Sequence, residues 1–193
     1  MEISTGRTII RNFILKDFND LFEYLSLPET YLYEPGEPIT IEQAKEITLE
    51  RSKGNNFFAV VYKPENKLIG HFSFFQIEPK YVNTYEIGYI FNPKYHGRGF
   101  ATESGKAFIE YCFNKINVHK IVANCNPDYQ KSWKLLERIG LKREGILEQN
   151  IYFKEVNGIP VWQDTAVYGL VNKNHNNRLD SGWSVNTAGP FIG

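Results

Sequence analysis

Residues Asn92 to Glu103 read N-P-K-Y-H-G-R-G-F-A-T-E, and the parsing of the rest of the chain starts from them. The run Thr84 to Phe91 before them has the apolar content of a strand, Ala101 to Asn114 has helical spacing, and Tyr95 to Phe100 is the turn between. Gly97 and Gly99 lack side chains, so the backbone can approach an anion there, and the amino end of the helix adds partial positive charge at the same place. A phosphate-bearing ligand suits such a turn; a purely steric use of glycine is the competing reading. Two familiar phosphate loops are excluded. No Lys-Ser or Lys-Thr follows Gly99, and Thr102 stands where a dinucleotide fingerprint needs its third glycine.

Working outward, Thr8 to Phe13 reads as a strand and Asp17 to Leu25 as an amphipathic helix with Asp17 as its cap. Pro28, Pro35 and Pro38 break the next stretch, and Thr40 with Gln43 opens a second helix whose inner stripe is Ile41, Ala44, Ile47 and Thr48. Three extended runs follow with short connections, Phe57 to Tyr62, Leu68 to Ile77 and Thr84 to Phe91, which implies an antiparallel meander. After the glycine turn and its helix, Lys120 to Cys125 is a strand reached by a right-handed crossover, so it lies parallel to Thr84 to Phe91. A helix from Tyr129 to Ile139 ends at Gly140, and Gly145 to Glu155 with Pro160 to Leu170 forms a hairpin around Asn157-Gly158. The expected fold is α/β (α+β), a mixed and mostly antiparallel sheet of seven strands flanked by four helices in the order βααβββαβαββ. One domain over residues 1–171 is expected, followed by a poorly ordered tail over 172–193, where periodicity is lost.

The 193 residues carry no net charge, yet residues 1–50 hold ten acids against four bases and residues 51–193 hold twelve against eighteen. A basic body suits an anionic cofactor and an acidic first segment suits a cationic substrate, although solvated faces produce the same split. Cys112 and Cys125 have neither metal nor redox spacing and read as buried free thiols; the four histidines are scattered, so no metal site is expected. The amino terminus lacks the pattern of a secretory signal, and no apolar run approaches a membrane span. The expected setting is the cytoplasm, with no membrane or nucleic-acid partner.

The stretch E-I-G-Y-I-F-N-P-K-Y-H-G-R-G-F-A-T-E, together with S-W-K-L-L-E-R-I-G-L-K-R-E-G, resembles the GNAT superfamily of acyl-CoA N-acetyltransferases and, within it, the RimJ/RimL-like branch. The resemblance covers residues 7–171 and implies acetyl-CoA as cofactor. Its pyrophosphate is then expected on His96, Gly97, Arg98, Gly99, Phe100 and Ala101, with a hydroxyl from Thr102, and its pantetheine arm along Tyr89, Ile90 and Phe91 as an added strand. The family's D-P-x-N-x-x-S pattern appears here as N-P-D-Y-Q-K-S, so Asn126 and Ser132 are carried over as cofactor contacts, and Tyr129 stands where the pattern has asparagine.

The implied reaction is direct attack of a primary amine on the thioester through a tetrahedral intermediate, with a backbone amide near Ile90 or Phe91 as oxyanion donor. An α-amino group is about a tenth neutral at pH 7, whereas a lysine is neutral only about once in several thousand molecules, so the acceptor sets how strong a base is needed. Glu86 is the first base candidate, or else a rim carboxylate; Glu148 is the second. Ser132 is the proton-donor candidate, or a packing residue, and Tyr129 offers a phenol at the same mouth. The acceptor surface is expected from Tyr31 to Pro38, with Tyr31, Tyr33, Glu34 and Glu37, the helix after it, and the hairpin loop near Asn157. A peptide amino terminus, a polyamine or an aminoglycoside-like amine fits it, on a monomer or a homodimer. The alternative is a GNAT-fold module that binds acyl-CoA or a partner without turnover.

Overall fold

The apolar runs pair into one mixed sheet in the computed structural model, which describes residues 1–175. Its strands are β1 (Glu2–Ser4), β2 (Thr8–Asn12), β3 (Phe57–Tyr62), β4 (Lys67–Gln76), β5 (Thr84–Phe91), β6 (Lys120–Cys125), β7 (Lys142–Val156) and β8 (Ile159–Val171), in the spatial order β1-β2-β3-β4-β5-β6-β8-β7. There are thus eight strands where seven were expected. The extra one, β1, pairs antiparallel with β2 through Ile3 and Ile10 and is too short to show an alternating pattern. The four helices are α1 (Phe18–Leu25), α2 (Ile41–Lys53), α3 (Phe100–Tyr111) and α4 (Gln130–Arg138). None among the described residues is long and apolar enough to cross a membrane.

Local chemistry explains most boundaries. Thr40 and Gln43 form the expected capping box, with Gln43 N donating to Thr40 Oγ1 at 3.2 Å and Thr40 N to Gln43 Oε1 at 2.7 Å. Asp17 does not cap α1 as expected. Its backbone is already helical (φ −71°, ψ −11°), and its carboxylate instead accepts from Ile14 N at 2.9 Å and binds both Arg11 nitrogens at 2.8 Å. Gly140 ends the α4 region at φ +106°, and Asn157 and Gly158 both take positive φ, as a two-residue hairpin turn requires.

Both faces of the sheet are covered. On one, Phe108 of α3 stacks on Phe72 of β4 with centroids 5.1 Å apart, amid Phe58, Ile121, Leu136 and Tyr168. On the other, Leu21, Tyr24 and Leu25 of α1 bury Ala59, Val61 and Leu68. Fully burying such side chains stabilises by about 1.5–3 kcal/mol each, so this layered core holds the sheet rigid beneath the loops. Packing continues past β8: Asn172 is buried and its amide donates to Val118 O at 3.1 Å. The remainder of the expected tail, residues 176–193, lies outside the described residues.

One irregularity in the sheet positions everything that follows. β5 runs antiparallel to β4 from Tyr85 to Phe91 but pairs in parallel with β6 only at Thr84, Tyr85 and Glu86. Beyond Glu86 the two strands separate, and among the described residues no strand pairs with the second half of β5 on that side.

Candidate active site

The turn between β5 and α3 is built from short-range contacts. Asn92 Oδ1 accepts from Lys94 N at 3.1 Å, and His96 Nε2 donates to Phe91 O at 2.9 Å, which folds the turn back on the end of the strand. Gly97 (φ +73°) and Gly99 (φ +81°) take left-handed backbone, which costs a residue with a side chain about 1–2 kcal/mol. Among the described residues, the amides of 97–102 have no protein acceptor, and those of the first turn of α3 are the orphan donors of any helix start. A pyrophosphate fits this amide array.

Arg7 anchors the start of the helix. Its Nε pairs with Glu103 Oε2 at 2.7 Å and its Nη1 donates to Arg98 O at 3.0 Å, while Thr5 Oγ1 donates to Glu103 Oε1 at 2.6 Å. Burial pushes the Glu103 carboxyl up, but the bonds from Thr5 and Arg7 outweigh it and hold it below its usual range. The acid nearest the cradle is therefore already matched by a cation. Arg98 departs from expectation: its guanidinium lies over the Phe100, Tyr95 and Tyr62 rings at 4.9, 5.3 and 5.7 Å and does not line the cleft, so only its backbone belongs to the turn. The cations that do line the cleft are Lys106, Lys131, Lys134 and Arg138, and Arg138 Nε donates to Thr102 Oγ1 at 3.3 Å.

The cleft, about 900 Å³, runs from this cradle to the open edge of β5. Asn92 N donates to Ile69 O at 2.9 Å, and bonding alternates along an antiparallel ladder, so Ile90 and Gly88 also direct their backbone toward β4. Ile87, Tyr89 and Phe91 direct theirs to the vacated side. This corrects the expectation for Ile90, whose amide serves the sheet; Tyr89 and Phe91 carry the open amides, with Phe91 O taken by His96. An extended, amide-bearing ligand can complete the ladder there.

At the inner end Tyr89 reaches α4. Its hydroxyl lies 3.0 Å from Ser132 Oγ and donates to Ser132 O at 3.0 Å. Ser132 is only 8% exposed, and burial pushes the Tyr89 phenol up, so it stays a proton donor near neutral pH. Ser132 is thus on the buried face of α4, turned toward β5. The phenol of Tyr89 was not expected, because β-strand spacing shows which face a residue takes but not how far it reaches.

A second cavity of about 390 Å³ opens on the other side of this junction. It is lined by Glu86, whose Oε1 accepts from Asn124 Nδ2 at 3.0 Å, by Asp164, and by mid-hairpin residues such as Asn150 and Phe153. The hairpin tip at Asn157 lines neither cavity, and Glu148 is exposed and lines neither. A bulge at Leu147 to Ile151, with Gln149 N on Asp164 Oδ1 at 2.9 Å, re-aims β7 at this point. Asn126 lines the second cavity rather than the cleft. Its Nδ2 donates to Gln163 Oε1 at 2.9 Å and its Oδ1 accepts from Asp128 N at 2.8 Å, so its side chain shapes the loop.

Tyr129 takes a positioning place. Its ring stacks on Tyr33 at 4.7 Å with a 12° tilt and so ties the loop between α1 and α2 to the start of α4. The same loop is tied to α1 where Tyr31 Oη donates to Leu25 O at 2.9 Å. Between the two tyrosine anchors and Pro35 sits Glu34, which lines both cavities.

Comparison with known proteins agrees with this geometry. The family model described as Acetyltransferase (GNAT) domain matches residues 7–142. The chain is 36% identical over 181 residues to the uncharacterized N-acetyltransferase YnaD of Bacillus subtilis, covering 91% of this chain and 100% of that protein. It is 27% identical over 156 residues to the [Ribosomal protein uS5]-alanine N-acetyltransferase of Escherichia coli, covering 75% and 80%. Among solved structures, an acetyltransferase (GNAT family) from Bacillus anthracis superposes with a TM-score of 0.81 at 32% identity, covering 89% and 99%. The spermidine N-acetyltransferase of Vibrio cholerae in complex with CoA and spermine shares the fold, with a TM-score of 0.73 at 20% identity, covering 88% and 98%.

Proposed function

This chain belongs to the GNAT acetyltransferase family, and from that premise we propose that it moves an acetyl group from acetyl-CoA to a primary amine by direct attack. The observation that carries the reading is the continuity of one cleft from the unpaired amides of 97–102, along the free edge of β5, to the Tyr89–Ser132 pair. Amides 97–102 and the lysines at the mouth hold the pyrophosphate. Tyr89 and Phe91 offer backbone amides to the pantetheine arm.

Acetyl-CoA bound there supplies an activated acetyl thioester. Ser132, bonded to a phenol that keeps its proton, donates to the sulfur as it leaves. A backbone amide on the open side of β5 faces the oxygen that gains charge. The acceptor enters by the second cavity, where Glu86 and Asp164 suit a cationic amine. Relatives named for a ribosomal-protein alanine and for spermidine bracket the class: a peptide amino terminus or a polyamine. Free Cys112 and Cys125 are in keeping with a reducing, cytoplasmic setting.

The test is release of free thiol from acetyl-CoA in the presence of peptide amino termini, spermidine and aminoglycosides. Amine-dependent thiol release with the matching acetylated product is expected. Binding of CoA with no product from any acceptor would instead indicate a module that senses acyl-CoA without turnover.

A further inference from the structure

We propose that Glu34, on the loop between α1 and α2, is the general base that takes the proton from the acceptor amine, in place of the strand carboxylate Glu86. The proposal rests on the acetyl-transfer reading above and assigns a residue within it. Among the described residues, three line both the cofactor cleft and the second cavity: Glu34, Tyr89 and Ser132. An amine that comes through the second cavity to an acetyl group in the cleft must pass this junction. Glu34 is its only carboxylate, whereas Glu86 lines the second cavity alone and its Oε1 is tied to Asn124.

Three further observations agree. First, among the described residues Glu34 has no hydrogen-bond or ion-pair partner, although the Tyr33–Tyr129 stack and the Tyr31 hydroxyl bond hold the loop just before it. Its carboxylate is left free for a ligand. Second, burial pushes the Glu34 carboxyl up to about 7. Proton transfer from an α-ammonium, with a pKa of about 8, is then nearly balanced, whereas it would be uphill by more than three pKa units to an ordinary carboxylate. Third, the titratable groups facing the junction are mostly acidic or neutral. They are Glu29 and Tyr33 on the same loop, Glu86 and Tyr89 on β5, Cys125 on β6, Tyr129 before α4 and Asp164 on β8, while the cations Lys131, Lys134 and Arg143 stand at its margins. An arriving ammonium ion supplies the missing positive charge and favours the ionised form of Glu34.

The step balances as follows. Glu34 takes one proton from the ammonium and passes it to solvent. The nitrogen lone pair forms the C–N bond, the C–S bond breaks, and the second proton shed by nitrogen replaces the one that Ser132 gives to sulfur. An ammonium and a thioester become an amide, a thiol and one released proton.

Two measurements test the assignment. Side-chain carboxyl 13C NMR of the free protein should show one glutamate titrating near pH 7, absent from Glu34→Gln. Thiol-release kinetics should show kcat/KM for the amine reduced by about 100-fold or more in Glu34→Gln, with the inflection near neutral pH lost and CoA affinity by calorimetry within about twofold of wild type. Glu34→Asp should recover part of the rate and keep a titrating carboxyl. A Glu34 resonance that titrates in the ordinary carboxylate range, or a Glu34→Gln protein with wild-type rate and pH profile, overturns the assignment. Failure of the wild-type protein to bind CoA overturns the acetyl-transfer reading itself, and the NMR titration separates the two.

Discussion

Ser132 keeps its hydroxyl 3.0 Å from the Tyr89 phenol inside a nearly closed junction, so under the proposed mechanism its removal deletes the proton donor and leaves the backbone of 97–102 in place. Ser132→Ala should lower kcat by about 10- to 100-fold with KM for acetyl-CoA nearly unchanged, measured by initial thiol-release rates. Equal kcat would reduce the hydroxyl to packing. Gly97 acts through its backbone: at φ +73° an added Cβ meets nothing within 4 Å, so Gly97→Ala introduces conformational strain without a clash. A cost of about 1–2 kcal/mol in the amide array corresponds to a Kd for CoA raised about tenfold by calorimetry. Glu34 carries a stability signature as well. Its folded carboxyl titrates at about 7, above the usual 4.5, so the folded state holds the extra proton between these values and loses stability as pH rises through them. Glu34→Gln removes that loss, and the melting temperature of the variant relative to wild type should therefore rise between about pH 5 and about pH 8. A difference that stays flat with pH would mean the carboxyl is not raised.

At the scale of elements, the loop from Pro28 to Ile39 is an acidic strap held by two aromatic anchors, and one of them, the Tyr33–Tyr129 stack, joins it to α4. An aromatic stack contributes about 0.5–1.5 kcal/mol beyond its buried area. Tyr129→Ala should speed amide exchange in the loop by about 2- to 10-fold and raise KM for the amine, while Tyr129→Phe restores both, because the ring and not the hydroxyl makes the contact. Loss of activity in Tyr129→Phe with the loop unchanged would instead give the phenol a chemical part. The pattern N-P-D-Y-Q-K-S showed only that a tyrosine stands at the position where the resemblance led to an expectation of asparagine. What the ring touches depends on Tyr33, brought across from a distant element. Arg98 shows the same limit, since the aromatic shelf that draws it away from the cleft includes Tyr62 on β3. The left-handed backbone of Gly97 and Gly99 and the inward face of Ser132 follow from the turn and the helix that contain them.

Across the whole molecule, one cleft is lined by the turn before α3, the free edge of β5 and the start of α4, so under the proposed function a bound cofactor touches all three. Ligand that binds only the folded state stabilises it by about 2.7 kcal/mol at a hundredfold excess over Kd, or roughly 5–10 °C for a chain of this size. A shift of that order with CoA in differential scanning fluorimetry is expected, and no shift at saturating CoA would contradict the cleft as its site. By itself the sequence determined the order of the elements after β1, the glycine turn between β5 and α3, and the parallel β5–β6 crossover, because periodicity and turn chemistry act over a few residues. Tertiary structure alone decided which β5 amides are free, how Arg98 turns away, and that Glu34 meets Tyr89 and Ser132 between two cavities. Those outcomes depend on strand divergence and on side chains from separate elements, and no local pattern encodes where such side chains converge.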